Sequence, residues 1–299
     1  MRYRPIGPSG AVISAVSLSL RADPARPRPA DWVSFLYAAL ENGISGFEVD
    51  GADRVLAEGL AQALAGIERR LIFVAWRIGK GARGGARARD LSGAALGREV
   101  RQALAMSGLT YLDAVLIDDP ATSEIHPETF DSLKQLKAAG LVRFVGVAGE
   151  GTSIDGHVGS GGFDLLATGF SLTSGWRERN LLRAAVAGDM AVLGHGPYPA
   201  ELRALAAAGR PAVSRDHPLA GVGRYGFLTE TRGWGAEEIC LAYAMTEPAL
   251  ASVVVHAASL GDLERLAAVA DREMPPGLAA QVEMARFSPA AEADPRRRA

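Results

Sequence analysis

The sequence predicts a closed (β/α)8 barrel preceded by a small β-hairpin, and three observations predict it. Short β-branched or apolar runs alternate eight times with longer Ala/Leu-rich segments, as parallel strands joined by crossover helices require. Several of these runs are apolar almost throughout, the pattern of strands buried on both faces. The 299 residues accommodate the roughly 250 of such a barrel, whereas an open doubly wound sheet would more often have about five to seven strands.

Taken in order, Tyr3 to Ile6, Pro8-Ser9-Gly10 and Val12 to Ser14 read as a hairpin that precedes the first barrel strand and plugs its bottom. The strand candidates are Ala15 to Leu20, Ile44 to Val49, Leu71 to Trp76, Ala114 to Asp118, Val142 to Ala148, Leu165 to Thr168, Met190 to Gly194 and Ala251 to Val255. Between them, Ser92 caps a helix from Ala94 to Met106, Pro127 opens a helix that Gly140 ends, and Ala236 to Met245 carries a helical apolar stripe. Ile78 to Asp90 and Gly196 to Gly233 are too long for connectors and are expected as lids at the strand C-terminal face, the second with its own helix at Ala200 to Ala208. Residues 1–299 read as one domain, with 288–299 as a frayed tail.

Composition narrows the function classes. Lys plus Arg number 32 against 34 Asp plus Glu, a net charge of −2, which lacks the basic excess of a dedicated nucleic-acid binder. The single cysteine, Cys240, excludes a disulfide framework, a multi-cysteine zinc site and an iron–sulfur cluster, and suits a reducing, cytoplasmic setting. No run of about 18 apolar residues exists and the opening residues lack the apolar core of a signal peptide, so neither a membrane nor nucleic acid is an expected partner.

Five stretches stand in a telling order: Tyr3-Arg4-Pro5-Ile6-Gly7-Pro8-Ser9-Gly10 at the start, Ala39-Leu40-Glu41-Asn42-Gly43-Ile44 before the second strand, and Gly108-Leu109-Thr110-Tyr111-Leu112-Asp113 before the fourth. Gly140-Leu141-Val142-Arg143-Phe144-Val145-Gly146-Val147 follows at the fifth, and Ala236 to Ala251 leads into the eighth. Together they resemble the aldo/keto reductase superfamily along nearly the whole chain. The resemblance implies the (β/α)8 barrel and, by default, carbonyl reduction with NADPH.

That chemistry uses a Tyr proton donor, a Lys and an Asp that lower its pKa, and a His that orients the substrate. At the family's Phe-Asp-x-Ala-x-x-Tyr pattern this chain has Phe47-Glu48-Val49-Asp50-Gly51-Ala52-Asp53, so Glu48 stands for the Asp and Asp53 for the Tyr. Arg77 stands for the Lys and Asp118 for the His. All four tetrad positions are substituted, and Arg77 is no titrating Lys. The nicotinamide carboxamide, held in the family by Ser-Asn and Gln, meets Ala148-Gly149 and Ala167; the stacking aromatic corresponds to Gly194, the Gly-Thr of the first strand to Ser19-Leu20, and the reader of the 2′-phosphate to Asp262. No cofactor is expected on this reading, NADP being the family default.

The strand ends thus carry Glu48, Asp50, Asp53, Asp118 and Asp119 around Arg77. Either these form an ion-pair network that fills a vacated site, or one carboxylate works as general acid or base with Arg77 as clamp. A divalent metal on Asp50, Asp53, Asp118 and Asp119 has no diagnostic ligand spacing, and none is expected. His195, with Tyr198 nearby, is the candidate replacement for the lost proton donor, or else a loop residue; Trp76 and Trp176 are an aromatic wall for a ligand, or packing. Asp50, Trp76, Asp119 and Tyr198 are the ligand-binding candidates. Cys240 lies on an apolar helix stripe as inert core, and Arg83-Gly84-Gly85-Ala86-Arg87-Ala88-Arg89 is a mobile loop or an anion contact. The expected function is a barrel that has lost carbonyl reduction and binds a small molecule or protein partner, or performs non-redox acid/base chemistry. The alternative is a divergent NAD(P)H-dependent reductase.

Overall fold

Alternation along the strands decides which side chains reach the functional face. The computed structural model describes residues 1–7, 10–80, 89–208, 225 and 227–287. The hairpin turn at Pro8 and Ser9, residues 83–88 of the Arg-rich run, 209–224 of the second long segment and the tail at 288–299 lie outside them.

Strands β1 (Tyr3–Pro5) and β2 (Val12–Ser14) pair antiparallel. Eight parallel strands then close a barrel: β3 (Val16–Arg21), β4 (Gly46–Asp50), β5 (Phe73–Ile78), β6 (Leu112–Asp118), β7 (Val142–Ala148), β8 (Leu165–Gly169), β9 (Ala191–His195) and β10 (Leu250–Val255), the last pairing with both β9 and β3. All eight expected strands are present. Helices α1 (Pro29–Glu41), α2 (Arg54–Leu64), α3 (Gly93–Ser107), α4 (Pro127–Ala138), α5 (Thr152–Val158), α6 (Trp176–Ala187), α7 (Ala200–Ala208), α8 (Phe227–Glu230), α9 (Ala236–Ala244), α10 (Leu260–Ala268) and α11 (Leu278–Phe287) complete the described elements.

Local chemistry sets the helix ends. Ser92 accepts the N–H of Ala95 at 3.3 Å and starts α3, and Gly108, at φ 64°, takes the left-handed turn that stops it. Pro127 opens α4, where its missing N–H costs nothing.

Two cores follow from the period of two. Outward residues such as Val74, Trp76 and Ile78 of β5 pack under the helices. Inward residues, among them Phe73, Ala75, Leu116, Phe144, Leu165 and Leu193, fill the barrel together with Ile6 and Ile13 of the hairpin segment, both within 1% of complete burial. The hairpin therefore plugs the barrel bottom, as expected. Across the closing seam, Ser17 Oγ lies 2.6 Å from Ser252 Oγ, and Gly46 leaves room for this pair, since a Cβ there would fall 2.0 Å from Ser17 Oγ. Among the described residues, no helix is long and apolar enough to cross a membrane.

Candidate functional site

At the C-terminal ends of the strands the inward positions change from apolar to charged. Glu48 on β4, Arg77 on β5, Asp118 on β6 and His195 on β9 all lie on inward steps and meet at the mouth. Arg77 Nε donates to Glu48 Oε1 at 2.7 Å, and its Nη1 donates to Asp118 Oδ1 at 2.8 Å. His195 Nε2 lies 2.9 Å from Glu48 Oε2, within ion-pair distance but out of line for a hydrogen bond. One half-buried guanidinium thus bridges two carboxylates, and the deeper of these also faces an imidazole.

Electrostatics fix the charges. Burial pushes the Glu48 carboxyl up, but the neighbouring His195, followed by Arg77, outweighs it and holds the group at about 2. Burial likewise pulls Arg77 down, and Glu48 and then Asp118 more than reverse this, so its pKa ends above the ordinary value. Neither group exchanges a proton near neutral pH.

The remaining candidates divide. Asp53 is the N-cap of α2, where its Oδ1 accepts the N–H of Leu56 at 2.7 Å; its carboxylate is employed in starting a helix. Asp50 pairs with Lys80. Asp119, in a positive-φ turn at 40°, accepts the hydroxyl of Ser153 at 2.9 Å. Trp76 is 2% exposed and packs outward under the helices, which corrects its expected place in a ligand wall: adjacent strand residues face opposite ways, and Arg77 takes the inward step. Trp176 opens α6, is 76% exposed and takes no part in this network. Gly194 also faces outward, where a Cβ would meet Leu250 at 2.7 Å. The inward position at the end of this strand is His195, so the expected correspondence of Gly194 with a stacking aromatic is one residue off. The described residues hold no group of three or more His, Cys, Asp or Glu able to bind a metal ion, the four aspartates weighed for one included. Cys240 is fully buried and its thiol is pushed above its ordinary pKa by burial.

Two cavities open on this network. A recess of about 310 Å³ is lined by Arg77, Asp118, Asp119, Glu150, Ala167 and His195, among others. A cleft of about 920 Å³ runs outward between the loops after β8 and β9, past Phe170, Ser171, Leu181, Tyr198 and Arg203. Arg203 stacks on Tyr198 with its guanidinium 5.3 Å from the ring centre. Sequence reasoning missed Glu150 and Lys80, which reach the site from loops; Arg89, the last residue of the run read as a mobile loop or an anion contact, donates to the carbonyls of Asp118 and Asp119.

Residues 20–285 match the model of the aldo/keto reductase family. Among solved structures, the chain is similar to the aldo-keto reductase AKR11C1 from Bacillus halodurans in its holo form, with a TM-score of 0.77, 17% identity and 99% of each chain covered. The apo form of the same protein gives 0.72 and 16%, again over 99% of each chain. No curated protein sequence matches the chain.

Proposed function

The chain belongs to the aldo/keto reductase family, and from that premise we propose that its barrel mouth binds a small polar ligand without reducing a carbonyl by NADPH. The observation that carries this reading is the fate of the tetrad positions. A carbonyl being reduced needs a proton donor, yet Glu48 is held ionised at about 2, Arg77 is fixed as a cation between two carboxylates, and the Asp53 carboxylate caps α2.

The residues present do not fit the nicotinamide end of the family's dinucleotide. Ala148 and Ala167 bring only methyl groups to the place of the carboxamide partners. Backbone donors do not replace them, because the N–H of Gly149 is given to Ala167 O at 3.0 Å and that of Asp119 to Ala148 O at 2.6 Å. Asp262, in the first turn of α10, sets a carboxylate held by Ser259 and Arg265 where a phosphate reader would stand.

A second reading, non-redox acid/base chemistry at the same mouth, draws on the Glu48–His195 contact. In a dyad of this kind a fixed carboxylate orients an imidazole that exchanges the proton. A small molecule is the expected partner under both readings, a protein under the first, and a reducing cytoplasm suits the lone buried thiol.

Calorimetric titration with NADP⁺ and NAD⁺ tests the proposal, and no saturable binding is expected. The variant Glu48→Asp, Asp53→Tyr, Arg77→Lys, Asp118→His is expected to leave NADPH unconsumed in the presence of simple aldehydes, since a proton donor beside an unheld cofactor has little to act on. Micromolar dinucleotide binding with NADPH consumption by the unaltered protein would establish the divergent reductase instead.

A further inference from the structure

The recess and the cleft share Glu150, Thr168, Gly169 and His195, so they form one continuous space with His195 at the junction. The orientation of this ring is set from behind. Its Nε2 faces Glu48 Oε2 at 2.9 Å, and Glu48 cannot turn away, because its side chain is 3% exposed and Oε1 is tied to Arg77. A carboxylate this close favours, for the neutral imidazole, the form with its proton on Nε2, which leaves a lone pair on Nδ1. Among the described residues none hydrogen-bonds to Nδ1, and His195 lines both cavities.

The charge around that lone pair is negative. Asp118, Asp119 and Glu150 line the recess and Glu48 stands behind the ring, four carboxylates in all. Arg77 is shared between two of them, and Arg89 is turned to backbone carbonyls. Farther out the lining is mixed: Phe170, Leu181 and Tyr198 offer apolar and aromatic surface, Ser171 and Thr173 lie between them, and Arg177, Glu178 and Arg203 also line it.

Resting on the reading of the mouth as a ligand site, we infer that this joint cavity takes an elongated ligand whose head group is a hydroxyl or an amine, donated to His195 Nδ1, and whose apolar body lies along the cleft. Glu48 is a positioning residue in this arrangement, acting through His195. A carboxylate head is turned away twice, by like charge and by a ring nitrogen with no proton to give.

Three probes with one body and different heads test this: phenylpropanol, phenylpropylamine and phenylpropionate, titrated into protein carrying nitrogen-labelled histidine. The His195 ring signals are identified by their loss in His195→Gln. The alcohol and the amine are expected to saturate at millimolar concentration and to shift Nδ1, with the acid at least about tenfold weaker, as one unfavourable charge contact at the protein surface would produce. In His195→Gln the gap between acid and alcohol should narrow, and in Glu48→Gln the acid should gain. If Glu48→Gln does not fold, His195→Gln alone decides. Equal or tighter binding of the acid, no Nδ1 shift with the alcohol or the amine, or an undiminished gap between acid and alcohol in His195→Gln overturns the inference. Dinucleotide titration is a separate readout, so failure here and failure of the proposed function can be told apart.

Discussion

The two ends of the barrel are made from the same eight strands by different means. At the bottom, Ile6, Ile13, Phe73 and Phe144 fill the interior with apolar volume. At the mouth, the inward steps of β4, β5, β6 and β9 carry Glu48, Arg77, Asp118 and His195, joined to one another by ion-pair contacts. Packing tolerates a lost neighbour by partial collapse, whereas a buried charge network does not, because each deletion strands a partner. The bottom is thus a sum of contacts, and the mouth a single unit.

The sharpest way to break this contrast is to remove its hub. Arg77→Met should cost roughly 3–5 kcal/mol in urea unfolding, by stranding Glu48 and Asp118. Adding Glu48→Leu and Asp118→Leu to it should recover most of that loss; if the triple variant is no better than the single one, the network is not a unit. At the bottom, Ile13→Ala should cost about 3 kcal/mol through the cavity it leaves. It should leave the phenylpropanol response at His195 as it was, and a changed response would couple the two ends.

Acid provides a smaller and more selective perturbation. The folded-state pKa of Glu48 lies below its ordinary 4.5, so its stabilisation is complete above that value and is lost as the pH falls toward about 2. Over this window the midpoint of urea unfolding should fall more steeply in the unaltered protein than in Glu48→Gln, and parallel curves would mean that Glu48 is not the group concerned. The smallest effect is expected outside the network: Asp53→Ala should cost about 1 kcal/mol and Asp53→Asn less, as for any helix N-cap. If either variant altered the ranking of the three probes, Asp53 would belong to the mouth after all.

Much of this was legible in the sequence, and what escaped did so for physical reasons. Every strand lies within two residues of its expected bounds, and Val142–Ala148 coincides with them, since a strand buried on both faces announces itself by composition. The Glu48–Arg77 pair was foreseeable because the resemblance sets both at positions that neighbour each other in the family. Trp76 and Gly194 were misplaced, although the signal was present: counting in twos from Arg77 and from His195 turns both outward. The Glu48–His195 contact joins strands far apart in the chain across a closed barrel, and no local pattern encodes it. Glu150 and Lys80 arrive from loops, whose course depends on the packing beneath them. Asp53 before Arg54-Val55-Leu56 carried a legible N-cap signature that its tetrad position obscured.

The serine pair on the closing seam bears on how the chain is made. Ser17 and Ser252 lie 235 residues apart, and β10 is the strand that joins β9 to β3. During translation, the first barrel strand leaves the ribosome long before its neighbour exists. Until β10 emerges, β3 and β9 both present unpaired edges, the kind of surface that recruits strands from other nascent chains. Yield in a cell therefore depends on how well chaperones shield those edges during synthesis of the last part of the chain, and weakening the seam should lower soluble expression more than it lowers the stability of finished protein.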